Sequence, residues 1–260
     1  MEYVLDYRHA NRALVTGAGQ RLGRAIAVFL GEAGYQVAVH YRGSRDGAEA
    51  TVRDVQDAGG TAALVQADLS DEADTAALVK KASDALGGHI GLLINNASTF
   101  EDDDIQTHTR ESWDFHMDVN LRAPILLSQA FANALPDSAH GVIINMIDQR
   151  VWKLNPSFFT YTLSKSALWS ATKTLAQGLA PKIRVNGIGP GPTLKSVHQS
   201  EDDFRQEVEA TLTQRGANPD EIVKAIKFLI DADAVTGQMI AVDGGQHLIW
   251  QTPDVLDVIE

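Results

Sequence analysis

The sequence predicts an α/β fold: a single doubly wound domain with a seven-stranded, mostly parallel sheet and helices on both faces. Three observations predict it. Short apolar runs alternate with helical patterns along most of the chain, and such alternation implies right-handed crossovers between parallel strands. A glycine-bearing turn, TGAGQRLG at 16–23, joins the first apolar run to the first helical one. No internal repeat, low-complexity tract or linker-like stretch divides the chain, so one domain over 1–260 is expected.

The elements follow in order. ALVT (13–16) reads as a strand and 22–33 as the helix after it; QVAVHY (36–41) is the next strand and 46–58 the next helix. AALVQA (62–67) is a third strand, followed by a helix over 72–86. GLLINN (91–96) is a fourth strand, and a long helix falls within 111–135. GVIINM (141–146) is a fifth, with a helix over 160–179; IRVNGI (183–188) and MIAV (239–242) are the sixth and seventh. The stretch 189–220 breaks this rhythm with PGPTLKSVHQSEDDF, which holds two prolines and an acidic cluster. An insert after a late parallel strand sits over the carboxyl ends of the strands, where such sheets bind ligands. A substrate lid near 191–216 is the expectation, with a plain surface loop as the alternative.

Composition narrows the function. The chain has 260 residues, 44% of them hydrophobic, with a formal net charge of −12. That charge argues against broad nucleic-acid or anionic-membrane binding, which needs a basic face. An anionic cofactor must therefore be held by a few local cations and backbone N–H groups. There is no cysteine, which excludes disulfides, thiolate zinc sites and cysteine nucleophiles. The eight histidines form no i, i+4 pair and no HExxH run, so no metal is expected. No apolar signal core opens the chain and no run of 18 apolar residues exists. A cytoplasmic protein is expected.

The first turn is the cofactor end. Gly17 allows a tight turn off the strand, and Gly23 lets the helix, opening at Leu22, approach the sheet and face phosphates. The second strand ends His40-Tyr41-Arg42-Gly43-Ser44. A carboxylate there would accept from the ribose hydroxyl of NAD; none is present. Arg42, with Arg21 from the first loop, could instead clamp a ribose phosphate, and Ser44 could add a hydroxyl. The cofactor is therefore expected to be NADP(H), although either arginine could be a solvated charge. Asp68 after the third strand can accept from the adenine amine, with Leu69 giving a backbone contact. Asp68 could instead cap a helix, but Ser70 is better placed for that. Asn95, Asn96 and Ala97 end the fourth strand, leaving room for the ribose and satisfying backbone groups.

The chemistry rests on Tyr161 and Lys165 in YTLSK, which stand thirteen and seventeen positions after Asp148. Residues four apart share a helix face. A lysine ammonium beside a phenol favours the phenolate, making the tyrosine a usable proton donor near neutral pH.

Together these residues resemble the short-chain dehydrogenase/reductase family over nearly the whole chain. The matching features are TGxxxxxG at 16–23, NNA at 95–97, Asn120, Tyr161, Lys165, PG at 190–191 and VDGG at 242–245. The resemblance implies a Rossmann-type domain, a nicotinamide cofactor and a homotetramer or dimer built on the long helices. It implies that Tyr161 is the proton donor, that Lys165 holds the nicotinamide ribose and tunes Tyr161, and that Asn120 orders a water. Pro190, Gly191 and Thr193 would lie against the nicotinamide.

Two departures point further. Arg21 replaces the family's usual middle glycine, and Asp148 replaces the usual serine. That serine orients a ketone oxygen with a neutral hydroxyl. A carboxylate would repel a developing alkoxide and suits a substrate that presents N–H groups or is protonated at nitrogen. Both departures, with NNASTF at 95–100, resemble the pteridine reductase branch. GPGPTL at 189–194 looks most like its bacterial, dihydromonapterin reductase-type members. The resemblance implies that Phe100 stacks on a planar pterin, that Ser98 bonds near the phosphates and pterin, and that Arg21 reaches a phosphate and a substrate oxygen. Asp148 and Tyr161 would face the ring.

Blander alternatives stand beside these. Phe100 could be a core aromatic, Asp148 could pair with Arg150 or Lys153, and Asn120 could only stitch the long helix to a strand. The acidic run 101–104 is expected to be a solvated loop. The function expected is an NADPH-dependent pteridine reductase acting on a dihydropterin or dihydrofolate. The alternatives are a carbonyl reductase or alcohol dehydrogenase, and then a non-catalytic NADP-binding scaffold.

Overall fold

The structure, a computed structural model, describes residues 9–196 and 199–252. The two ends of the expected domain, and two positions inside the expected lid, lie outside the described residues. The first half runs β1 (Arg12–Val15), α1 (Arg21–Glu32), β2 (Gln36–Tyr41), α2 (Arg45–Asp57), β3 (Thr61–Gln66), α3 (Glu72–Ala85) and β4 (Leu92–Asn95). Next, α4 (Arg110–Met117) passes through a π-helical turn (Asp118–Arg122) into α5 (Ala123–Ala134). Then come β5 (Gly141–Met146), α6 (Phe159–Leu179), β6 (Ile183–Pro190), α7 (Glu201–Glu209), α8 (Pro219–Asp231) and β7 (Met239–Val242).

The seven strands lie in the order β3-β2-β1-β4-β5-β6-β7. Every pairing is parallel. The order in which strands are added to the sheet reverses between β1 and β4, and the crevice at such a switch point is where doubly wound sheets bind ligands. Central strands are apolar on both faces because helices cover both. Ile26, Leu30, Val55, Ile226 and Leu229 pack α1, α2 and α8 on one side. Leu78, Leu127, Phe131 and Ala176 pack α3, α5 and α6 on the other.

Three local features differ from the sequence reading. Helix α8 was not expected, although its signals are strong: Asn218 and Glu221 form a capping box, Pro219 opens the first turn, and buried Ile222, Ile226 and Leu229 recur at helical spacing. The cap of α3 is Asp71, whose carboxylate accepts from Asp74 N at 2.8 Å, not Ser70. The long helix is interrupted by the π turn, which holds buried Asn120; such turns gather at functional sites. Among the described residues no helix is long and apolar enough to cross a membrane. None of their His, Asp and Glu side chains cluster as a metal site would require.

Candidate active site

A cleft of about 470 Å³ opens at the switch point, within the usual size of a ligand site. Its lining contains Gly17, Arg21, Leu22, Gly23, His40, Tyr41, Arg42, Ser44, Asp68, Leu69, Asn96, Ala97 and Ser98, all expected from sequence. Gly19, Gln20, Gly43, Thr99 and Val119 line it too and were not singled out. Tyr161, Lys165, Pro190, Gly191 and Thr193 do not line this cleft.

The first loop needs its glycines for space. A Cβ on Gly23 would stand 2.2 Å from Gly17 O and 2.6 Å from Asn96 Nδ2. Gly17 has φ +62, and a Cβ there would meet Ala97 Cα at 3.0 Å. The turn is packed so tightly on itself and on the loop after β4 that neither position has room for a side chain. Arg21 has φ 51, a left-handed conformation that costs a non-glycine residue on the order of 1 kcal/mol. This explains why glycine is at home at that position.

The expected clamp of Arg21 with Arg42 is not formed. The Arg21 guanidinium donates to Lys195 O at 2.9 Å and Leu194 O at 3.1 Å, tying the first loop to the insert after β6. Arg42 instead packs over the Phe115 ring at 5.8 Å. Ser44 starts α2 with its side chain making no capping bond. Its hydroxyl, the helix N-terminus and Arg42 therefore remain to receive an anion.

His40 was expected among cofactor ligands, but its two nitrogens are committed to the protein. Nδ1 accepts from Gly17 N at 2.9 Å, so Nε2 carries the proton and donates to Ala67 O at 3.2 Å. Burial pushes its pKa down to about 4. The ring is a neutral brace beneath the glycine turn. Asn96 plays a similar part, donating to Thr16 O at 2.9 Å. Thr16, which opens the 16–23 motif but was given no role of its own, accepts from Asn96 N and Ala97 N, each at 2.9 Å. Asp68 accepts from Ser70 N at 2.9 Å and Ser70 Oγ at 2.7 Å, bonds that hold its carboxyl below the ordinary range.

The residues expected to carry the chemistry meet at the start of α6. Tyr161 Oη donates to Asp148 Oδ2 at 2.8 Å, and Asp148 Oδ1 accepts from Arg150 N at 2.7 Å. Asp148 is thus turned to Tyr161; the Arg150 guanidinium goes to Asn155 and Ser157. Lys165 Nζ donates to Met146 O at 2.9 Å and stands 5.8 Å from the Tyr161 ring centre. One expectation is reversed. Burial and the neighbouring Asp148 push the Tyr161 phenol well above its ordinary range, so the phenolate is disfavoured. Burial raises the Asp148 carboxyl and lowers Lys165 to about 8. A phenol that keeps its proton can give one up to a base but cannot abstract one.

Asn120 is a stitch in this structure. Its Oδ1 accepts from Thr99 N at 2.8 Å and Ser98 Oγ at 3.1 Å, and its Nδ2 donates to Thr99 O at 3.0 Å and Ser164 Oγ at 3.2 Å. It joins the loop after β4 to α6. Gly191 N donates to Val242 O at 3.1 Å and Thr193 Oγ1 to Gly191 O at 3.0 Å, so the start of the insert is anchored on β7.

Phe100, expected to stack on a planar substrate, does not line the cleft and is engaged by two other rings. Phe158 stacks on it with ring centres 4.1 Å apart and planes 11° off parallel, and Tyr161 meets it edge-on at 4.7 Å. Phe158 was missed; nothing in the local sequence marks it. The run 101–104 is not the expected solvated loop throughout, since Asp103 is only 6% exposed.

Residues 17–247 match a family model described as enoyl-(acyl carrier protein) reductase. The chain is 32% identical over 241 residues to the 3-oxoacyl-[acyl-carrier-protein] reductase FabG of Staphylococcus epidermidis, covering 91% of this chain and 98% of the relative. Among solved structures it resembles FolM alternative dihydrofolate reductase 1 from Brucella canis complexed with NADP. That match has 49% identity and a TM-score of 0.90, covering 94% of this chain and 96% of the other. It also resembles the landomycin C-6 ketoreductase LanV with bound NADP and rabelomycin, at 31% identity and a TM-score of 0.82, covering 91% and 96%.

Proposed function

This chain belongs to the short-chain dehydrogenase/reductase family, and from that premise we propose that it is an NADPH-dependent reductase of a pteridine. The observation that carries the reading is the Asp148 carboxyl, hydrogen-bonded to Tyr161 Oη at 2.8 Å where a ketone reductase would carry a neutral hydroxyl. The 49% identity to an alternative dihydrofolate reductase, against 31–32% to enzymes named for keto groups, supports it.

NADP(H) fits the residues present. The Gly17–Gly23 turn and the start of α1 line the cleft, and Arg42, the Ser44 hydroxyl and the α2 N-terminus offer an anion site at the end of β2. When bound, the cofactor supplies a hydride for a ring carbon of a C=N bond. The protein's own part is to hold the ring and deliver one proton to the adjacent nitrogen. Phe100, in edge contact with Tyr161, supplies the aromatic surface beside the proton donor. Tyr161 donates the proton to the ring nitrogen and regains one from water, while Asp148, whose two oxygens accept from Tyr161 Oη and Arg150 N, orients the phenol. Lys165 braces the backbone of β5 through Met146 O and places a cation beside the pair. Holding the reactants in line removes a barrier of several kcal/mol, roughly.

A second reading, reduction of a ketone, draws on the FabG and LanV matches. It places a carboxyl against a developing alkoxide, a repulsion that the pterin nitrogen does not raise. The test is NADPH oxidation by the purified protein with dihydropterins and dihydrofolate, beside a ketone panel. Turnover of a dihydropterin is expected. Turnover of ketones alone would refute the pteridine assignment.

A further inference from the structure

A buried polar group beside the chemical centre is used neither by the cofactor cleft nor by the reacting atoms. Asp103, His116 and Thr160 are 6%, 0% and 0% exposed. They come from three elements: the loop after β4, helix α4 and the first turn of α6.

The first turn of a helix carries backbone N–H groups with no partner inside the helix. In α6 the capping position is Phe158, at φ 54 in the left-handed region and with no side-chain acceptor. The missing acceptor arrives from the loop that carries Phe100. Asp103 Oδ1 takes Thr160 N at 2.9 Å, and Asp103 O takes Phe159 N at 3.0 Å. A carboxylate at a helix N-terminus is also favoured by the helix dipole. Asp103 Oδ2 accepts from the Thr160 hydroxyl and, at 3.1 Å, from Ser112 Oγ.

The direction of the remaining bonds follows by elimination. The Thr160 hydroxyl has one proton, and it goes to Asp103. The His116 Nδ1 contact to Thr160 Oγ1, at 2.7 Å, must therefore be a donation by His116. That leaves Nε2 as an acceptor, and Glu101 N donates to it at 3.1 Å. Each donor meets an acceptor only in this arrangement. Both ends of the chain of bonds, Glu101 and Asp103, lie on the loop next to Phe100, and its middle lies one residue before Tyr161.

We infer that Asp103, Thr160 and His116 are positioning residues that lock the Phe100 loop to the start of α6, and so set the place of Tyr161 and Phe158 against Phe100. The observed result of that lock is the Phe100–Phe158 stack at 4.1 Å and the Tyr161 edge at 4.7 Å. The inference rests on Tyr161 as the proton donor and not on the identity of the substrate. Reaction geometry is sensitive to shifts of about 1 Å, which can cost roughly 100-fold in rate.

The test uses three variants of the full chain: Thr160→Val, which keeps shape and removes the hydroxyl; Thr160→Ser, which keeps the hydroxyl; and Asp103→Asn. Steady-state kcat and KM are measured with whichever substrate class the wild-type protein reduces, and NADPH binding by fluorescence titration. Thr160→Val and Asp103→Asn should lower kcat by at least about tenfold while NADPH Kd stays within about twofold, and Thr160→Ser should recover most of the rate. Wild-type kcat in Thr160→Val, or equal losses in the valine and serine variants, would overturn the inference. A Thr160→Val chain that does not fold would also overturn it, by making the group a folding element. If Asp103→Asn alone fails to fold, the Thr160 pair decides. Absence of pterin turnover by the wild type would refute the pteridine assignment and leave this comparison intact.

Discussion

Acidification should weaken this protein through His40, by an amount that its surroundings allow to be worked out. The ring is 2% exposed, accepts from Gly17 N at 2.9 Å and faces Ala67 O at 3.2 Å. A second ring proton would point at the Gly17 N–H, donor against donor, inside the protein. Burial accordingly holds the folded pKa at about 4, against 6.5 for a free histidine. At about 1.4 kcal/mol per pH unit the full difference is about 3 kcal/mol. The sign follows from which state binds the proton. Between pH 6.5 and about 4 the unfolded chain is protonated and the folded one is not. The contribution is complete above the unfolded value, is lost as pH falls, and is gone below the folded one. By pH 5 about 2 kcal/mol should already be missing. The assay is urea unfolding from pH 7.5 to 4.5, at one protein concentration, for wild type and His40→Gln. The variant starts less stable at neutral pH but lacks this titration, so the two curves should converge as pH falls. Parallel profiles would refute the reasoning.

Other expectations follow from the site. Asp148→Ser should lower pterin kcat/KM by roughly 10- to 200-fold, the worth of a hydrogen bond to a charged group, with NADPH Kd unchanged; full activity in that variant would remove Asp148 from the mechanism. Lys165, lowered by burial to about 8, loses its charge above that pH, so kcat/KM for NADPH should decline from about pH 8 upward in a pH–rate profile. Gly23→Ala puts a Cβ 2.2 Å from Gly17 O and should weaken NADPH binding by more than about tenfold in a fluorescence titration. Arg42→Ala should erode the preference for NADPH over NADH, read from kcat/KM with each cofactor; an unchanged ratio would place the ribose phosphate elsewhere.

Much of the molecule was legible in the chain itself. Apolar runs broken by glycine turns marked all seven strands, and the 16–23 glycines marked the cleft, because both are local properties of backbone space and hydrophobic spacing. The Tyr161–Lys165 pair was legible because four residues is nearly one helical turn. Helix α8 was legible too, from its cap and its apolar spacing, and was overlooked.

What only the tertiary structure decided are relations between residues far apart in sequence. Spacing suggested that Lys165 would pull Tyr161 toward phenolate. The fold instead places the phenol against Asp148 in a buried pocket, and desolvation with a neighbouring negative charge outweighs the more distant ammonium. The missing carboxylate after the second strand paired Arg21 with Arg42; the fold turns Arg21 to the carbonyls of 194 and 195. Four acidic residues in a row suggested a solvated loop, yet Asp103 is buried because the first turn of α6 needs an acceptor that its own capping residue cannot give. Local sequence governs what one turn of backbone can do. The charge state of a tyrosine, the partner of an arginine and the burial of an aspartate depend on which distant segment folds against them.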